Sequence, residues 1–365
     1  MRISIPTEVK NSEDRVAVTP AGVDALVHGG HEVFVQAGAG DGSRISDHDY
    51  ETAGATILPD AAATWGAADL VLKVKEPIER EYGFLRDDLT LFTYLHLAAN
   101  QPLTDALVRA GTTAVAYETV QLDDRSLPLL TPMSEVAGRL SITVGAYHLM
   151  RAHGGRGALL GGVAGVPRAN VVVIGGGVAG EHAIANALGL GARVTVLDVD
   201  LPRLRELEAR YGNGLVTRHS TRYAIAEALA DADLVVGSVL IPGAAAPKLV
   251  TDDMVAGMRA GSVLVDIAID QGGCFEGSHP TTHDAPTFDV HDSVFYCVAN
   301  MPGAVPATST HALTNATLPY VQKVANLGWD AAAAADPALA KGLNVRGGKI
   351  MNAGVASAFG YALAS

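Results

Sequence analysis

Cysteine, aromatic side chains and positive charge are all scarce in this chain. Only two cysteines occur in 365 residues, Cys274 and Cys297, and neither belongs to a C-x-x-C pair. That argues against a disulfide framework and for two buried, reduced thiols in a cytosolic protein. Lysine and arginine number 26 against 39 acidic residues, a net charge of −13, with no basic run. The lysine/arginine stripe of a nucleic-acid binder is therefore missing. No apolar stretch approaches the roughly 18 uninterrupted residues that a membrane span needs. The opening segment MRISIPTEVK lacks the apolar core of a signal peptide. The expectation is a soluble protein.

What is present is apolar material and glycine. Forty-eight per cent of residues are hydrophobic and forty are glycine, while aromatics make up 5%. This mixture suits α/β layers with close helix–strand contacts and tight turns. The length is too great for one ordinary core and fits two domains.

Short apolar runs alternate with helical segments along the first 120 residues or so. Strands are expected at 2–6, 32–36, 69–74, 89–95 and 112–116. Thr19-Pro20 reads as an N-cap followed by proline at the first helical position, and Gly29-Gly30 as the stop of that helix. Such alternation predicts a parallel, doubly wound sheet. A long helix is expected at about 134–151, followed by a glycine-rich stretch, 154–165, as a candidate flexible boundary. A second set of strands is expected at 171–174, 193–197, 233–239, 262–269 and 295–299. A helix from about Thr308 should be kinked or interrupted by Pro319. The alanine run 331–335 reads as ordinary helix, and the C-terminal tail as returning to the first domain. The pattern thus predicts two doubly wound Rossmann-like domains with a cleft between them, joined by two long helices. One domain comprises residues 1–130 plus 305–365, and a nucleotide domain, residues 131–304, is inserted in it. No internal repeat of 20–50 residues is visible.

The most specific local signal is VVVIGGGVAG, which sets Gly175, Gly177 and Gly180 in G-x-G-x-x-G spacing directly after a strand. Gly175 permits the tight turn and Gly177 lets the backbone approach a pyrophosphate. Gly180 lets the helix pack against the sheet, and the amides around Val178 face the phosphates. The next strand, RVTVLD, ends in Asp198, eighteen residues beyond Gly180. An acid there accepts hydrogen bonds from ribose hydroxyls and repels a 2′-phosphate, which selects NAD over NADP. Arg203 and Arg205 follow, as solvated helix residues or as phosphate partners. Ligands of open α/β sheets sit beyond the carboxyl ends of strands. Val239 and Leu240, Ile267, Ala268, Ile269 and Asp270, and Val298, Ala299, Asn300 and Met301 fall at such ends and are expected to contact the cofactor.

The same rule applied to the first domain gathers Arg15 after the first strand, Lys75 at the end of LVLKVK and His96 at the end of LTLFTYLH. Asp270 ends VLVDIAID in the second domain. Two cations, a histidine and a carboxylate suit hydride transfer on a small carboxylic acid. Each also has a plain structural reading. Arg15 would be a surface ion pair, Lys75 a strand-end cap, His96 a hydrogen-bonded structural histidine and Asp270 the cap of the turn at Gly272-Gly273. The pairs His148/His153 and His279/His283 lack metal-ligand spacing and read as structural or exposed.

The segments RISIPTEVKNSEDRVAVTPAGV, LVLKVKEP, LFTYLHLAA, PLLTPMSEVAGRLS, VDIAIDQGGCFEG and FYCVANMPGAVPATST resemble the signature segments of the alanine dehydrogenase family, from residue 1 to about 343. The resemblance implies NAD-dependent interconversion of L-alanine with pyruvate and ammonium. It implies that Arg15 and Lys75 bind the substrate carboxylate and keto oxygen, and that His96 and Asp270 form the catalytic pair. It places Ser134 at the nicotinamide end, and Asp198, Arg203 and Ser220 around the adenosine ribose. It also implies a cytoplasmic homohexamer acting on small molecules, with no nucleic-acid or membrane partner. Two departures stand out. The chain reads Gly175-Gly176-Gly177 where the family often has GAG, and His279 where an arginine often follows CFEGS. Several of these segments are shared with the NAD-binding subunit of proton-translocating transhydrogenases, which is the alternative reading. A third is a sensor that binds NAD without turning it over.

Overall fold

The computed structural model describes residues 1–239 and 246–364, and the chain divides into two compact units. The first comprises residues 1–133 and 305–365, the second residues 134–304. Among the described residues no helix is long and apolar enough to cross a membrane.

Strands are numbered along the chain. The first unit holds β1 (Arg2–Ile5), β2 (Glu32–Gln36), β3 (Thr56–Leu58), β4 (Leu70–Leu72), β5 (Thr90–Thr93) and β6 (Thr113–Ala116). The second holds β7 (Asn170–Ile174), β8 (Arg193–Asp198), β9 (Leu215–His219), β10 (Leu234–Gly237), β11 (Val263–Asp266), β12 (Thr287–Val290) and β13 (Ser293–Tyr296). The tail adds β14 (Leu343–Arg346) and β15 (Lys349–Ile350) to the first unit.

The parallel strands of the first sheet run in the order β3-β2-β1-β4-β5-β6, and those of the second in the order β9-β8-β7-β10-β11-β13. Both are the doubly wound order in which the direction of winding reverses beside the first strand. Each sheet then continues antiparallel past its sixth parallel strand, through β14 and β15 in the first and β12 in the second. The sheets are therefore mixed rather than purely parallel. Strands β3, β9, β12, β14 and β15 carry too little apolar pattern to stand out in the sequence.

The cores explain the apolar runs. On β7, Val171 and Val173 enter one hydrophobic cluster while Val172 and Ile174 enter another. A strand covered on both faces reads as a continuous apolar run, as VVVI does. Leu70, Val71 and Leu72 of β4 are likewise fully buried. The first helix runs Pro20–His28, capped by the Thr19 hydroxyl, with Gly30 beyond it at φ +82°.

Three expectations need correction. The strands expected at 69–74, 89–95 and 262–269 end earlier, at Leu72, Thr93 and Asp266. Shortly beyond those points carboxylates of Glu8, Glu118 and Asp266 take backbone N–H groups of Val74, His96 and Ala268 that a longer ladder would have used. The glycine-rich stretch 154–165 is not a boundary. It lies inside the second unit, tied by Arg156 N–H to Gly261 C=O at 2.9 Å and Ala169 N–H to Leu160 C=O at 3.0 Å. The chain instead changes unit at 133/134, within the helix Thr131–His148, and at 304/305, just ahead of the helix Pro306–Leu327. That second helix runs unbroken through Pro319. Pro319 and Asn315 are both exposed, so the carbonyl that loses its donor meets water rather than apolar surface.

Candidate active site

In the first unit the winding reverses between β1 and β4, and the loops after those strands carry most of its buried charge. Arg15 is ion-paired, yet only 2% exposed, so the surface pairing is overturned. Its Nε and Nη2 donate to the two carboxylate oxygens of Glu13 at 2.6 and 2.5 Å, a bidentate fork, and Nη1 reaches Met133 Sδ at 3.0 Å. Burial alone would pull the guanidinium pKa down, but the Glu13 pairing outweighs it and holds it above its ordinary value.

Lys75 lies three residues past β4 and is half-buried. Its neighbour Lys73 is wholly buried between Glu8 and Glu81, with Nζ at 3.1 Å from each carboxylate. Glu8 also accepts the N–H of Val74 at 2.6 Å and that of Lys75 at 3.3 Å. This triad was not anticipated. Its signal was a lysine flanked by apolar residues inside LVLKV, since a charge in such a run is buried only with partners.

His96 follows β5 and adopts a left-handed conformation, φ +49°. Its N–H donates to Glu118 Oε1 at 2.6 Å, and the Leu95 N–H lies 3.2 Å from both oxygens of that carboxylate. Glu118 therefore sets the backbone on which the imidazole stands, with Oε1 4.0 Å from Nδ1. The ring stacks on Tyr94 at 6.0 Å and is 44% exposed.

In the second unit the glycine loop crosses from β7 into the helix Val178–Gly189. Gly175 has φ +99°, and a Cβ on Gly180 would fall 1.9 Å from the Gly175 carbonyl oxygen, so both positions require glycine. A Cβ on Gly177 would meet nothing within 4 Å, which leaves that side of the turn open, and no side chain caps the helix there. Asp198 closes β8, accepting Gly176 N–H at 2.5 Å and Asp200 N–H at 2.8 Å, while Ser220 N–H donates to its carbonyl at 2.8 Å. Arg203 Nε donates to the Gly176 carbonyl at 2.7 Å, and its other nitrogens pair with Glu181 and Glu206. Arg205 is exposed, the solvated helix residue of the plainer reading. Glu181, which pairs with Arg203 beside this loop, was not singled out in the sequence. The turn, the open face and the acid fit a dinucleotide.

Ser134 is half-buried on the helix Thr131–His148, which packs so closely on Ala179 that a Cβ on Gly138 would lie 2.1 Å from its carbonyl oxygen. Val239, Ile267, Ala299 and Asn300 are half-buried, and Leu240 lies outside the described residues. Ala268, Ile269, Val298 and Met301 turn their side chains into the core, which leaves their backbones as the atoms suited to meet a ligand. His279 stacks on Phe288 at 3.7 Å.

Asp270 is exposed on the single turn Ile267–Gln271, and it does not cap the glycines that follow. The N–H groups of Gly272 and Gly273 go to the carbonyls of Ile269 and Ala268. The loop around them is tied by Asp266, four residues earlier and wholly buried. Its oxygens accept the N–H groups of Ala268 at 3.1 Å, Cys274 at 2.8 Å and Phe275 at 3.3 Å, and the Ser278 hydroxyl at 2.6 Å. Burial pushes the thiols of Cys274 and Cys297 beside it up to about 12, so both stay protonated. Asp266→Ala should cost about 3–5 kcal/mol, because it leaves several buried donors unpaired. Asp270→Ala should change stability by no more than about 0.5 kcal/mol. Chemical denaturation of the two variants measures this, and similar losses would contradict the division of labour.

Comparison with known proteins now bears on this geometry. Residues 4–137 match the family described as alanine dehydrogenase/PNT, N-terminal domain, and residues 141–353 its C-terminal domain. The chain is 62% identical to the alanine dehydrogenase of Mycolicibacterium smegmatis, over 98% of this chain and 96% of that protein. A solved L-alanine dehydrogenase superposes with a TM-score of 0.96 at 51% identity, covering 99% of both chains. A transhydrogenase from Sinorhizobium meliloti superposes at 0.83 with 30% identity, over 97% of this chain and 99% of that one. With both domain descriptions matched in order and near-complete coverage in each comparison, the chain belongs to the alanine dehydrogenase/PNT family.

Proposed function

We propose that this protein is an NAD-dependent amino-acid oxidoreductase that converts L-alanine and water reversibly to pyruvate and ammonium. The observation that carries this reading is the gap between two solved relatives. Identity is 51% to the L-alanine dehydrogenase and 30% to the transhydrogenase.

Gly175, Gly177, Gly180 and the amides around Val178 would hold the pyrophosphate, Asp198 and Ser220 the adenosine ribose, and Ser134 the nicotinamide end. Held there, NAD would supply the hydride acceptor, and NADH the donor, for the substrate C2. Arg15, fixed by its fork to Glu13, holds the substrate carboxylate by a charge-assisted bond. Lys75 polarises the keto group. His96 moves protons to and from the substrate oxygen, work that contributes roughly 10²–10⁴-fold for a placed acid or base. Asp270 of the second unit stabilises the cationic iminium and orients water or ammonium. The exposure of His96 and Asp270 supports these assignments, because each is solvent-accessible while a less exposed carboxylate, Glu118 or Asp266, holds the backbone beside it. In domain terms, residues 1–133 with 305–365 serve the substrate and residues 134–304 serve the nucleotide. A cytoplasmic homohexamer is the assembly that the family resemblance supports, and light scattering giving another mass would exclude it.

Purified protein should reduce NAD with L-alanine in a panel of amino acids, and the reading fails if alanine gives no turnover. Lys75→Ala should abolish turnover while leaving NADH binding intact by fluorescence titration. Collapse of NADH affinity with pyruvate binding preserved would show that the lysine serves the nucleotide. Nucleotide choice rests on Asp198. Its replacement by Ala should weaken NAD binding, by removing both a ribose acceptor and the Gly176 anchor, and should relax the exclusion of NADP. Equal use of both nucleotides by the unaltered protein would overturn this assignment.

A further inference from the structure

We propose that Glu8 is a positioning residue for Lys75, acting as a clamp on the backbone that carries the substrate-binding ammonium. The inference rests on the role given to Lys75 above and adds the residues that aim it.

Glu8 reaches three consecutive residues. One oxygen accepts the Val74 N–H at 2.6 Å, and the other accepts the Lys75 N–H at 3.3 Å and pairs with Lys73 Nζ at 3.1 Å. The Lys73 ammonium is shared with Glu81 at 3.1 Å, and Glu81 in turn accepts the Ile78 N–H at 3.0 Å. Residues 73–78 are thus held at both ends by two carboxylates that share one buried cation. Lys73 and both acids are buried, so these bonds are shielded from water.

Stability alone does not account for such a triad. Replacing buried ion pairs with apolar side chains of similar volume is often neutral or stabilising, because desolvation offsets the attraction. An apolar side chain cannot, however, accept two successive backbone N–H groups past the end of β4. Lysine presents its charge on a flexible four-carbon stem, so the direction of its root decides where the ammonium can reach. Misplacing a binding group by about 1 Å can cost on the order of 100-fold in rate.

The test compares Glu8→Gln with Glu81→Gln in the full-length protein. Glutamine at position 8 keeps one acceptor for Val74 but turns its NH₂ toward Lys73 and the Lys75 amide, donor against donor. We expect the pyruvate KM to rise by about 10-fold or more, with the NADH KM near its original value and faster amide exchange at Val74 and Lys75. Glu81→Gln removes a similar share of the Lys73 pairing and should lower the melting temperature, yet leave the pyruvate KM close to that of the unaltered protein. If Glu8→Gln does not fold, Glu8→Gln combined with Lys73→Met removes the stranded ammonium and should show the same KM split. An unchanged pyruvate KM in either folded Glu8 variant, or an equal rise in Glu81→Gln, overturns the proposal. If the unaltered protein fails to turn over alanine, the functional reading is at fault. Amide exchange at Val74 and Lys75 then tests the clamp by itself, and unchanged exchange rejects it.

Discussion

Carboxylates that accept backbone N–H groups past the carboxyl ends of parallel strands are the interaction on which both halves of this protein depend. Glu8 does this beyond β4, Glu118 beyond β5 and Asp266 beyond β11, while Asp198 at the end of β8 holds the glycine turn through Gly176. The need is physical. Where a ladder ends inside a folded unit, the next N–H groups have no neighbouring strand and little water, and an unpaired buried donor is costly. An ionised carboxylate answers two or three of them at once, with bonds roughly twice as strong as neutral ones. The same contact that ends a strand therefore fixes the first residues of the loop beyond it, which is where ligands of such sheets bind.

A division of labour follows. Lys73 is buried in an ion triad and Lys75 is half-buried two residues on; Asp266 is buried under its turn and Asp270 is exposed four residues on. Glu13 is spent on Arg15, leaving Nη1 of the guanidinium pointing at Met133. In the first two pairs a buried charge with a structural task stands a few residues from a more exposed charge of the same sign.

Both units use one strand order, with the winding reversing beside β1 in the first and β7 in the second. Their chemistry differs because the loops at that point differ. Three glycines separate β7 from the helix Val178–Gly189, so the backbone itself is presented to a ligand. Residues 6–19 separate β1 from the helix Pro20–His28, room enough for Glu8, Glu13 and Arg15 to fold back under the strand ends. A backbone cradle suits a pyrophosphate, whereas a set of buried ion pairs suits a small charged acid held by side chains.

The sequence by itself determined the α/β class, the glycine turn with its acid, the Thr19-Pro20 helix start and the placing of Arg15, Lys75, His96 and Asp270 in segments that follow parallel strands. These are local properties. Apolar runs register burial on two faces, G-x-G-x-x-G registers φ and close packing, and strand ends are where such runs stop. Tertiary structure alone decided which member of each charged doublet is buried, where the strands end and which segments are boundaries. Glu8 meets Lys73 and Val74 across 65 and 66 positions of sequence, and Glu118 meets His96 across 22. No periodicity encodes such pairings, because they are created when separate strands become neighbours in a sheet. Pro319 shows the same limit in reverse. Its local rule predicts a break, and only its place on the exposed face of a packed helix lets the helix run on.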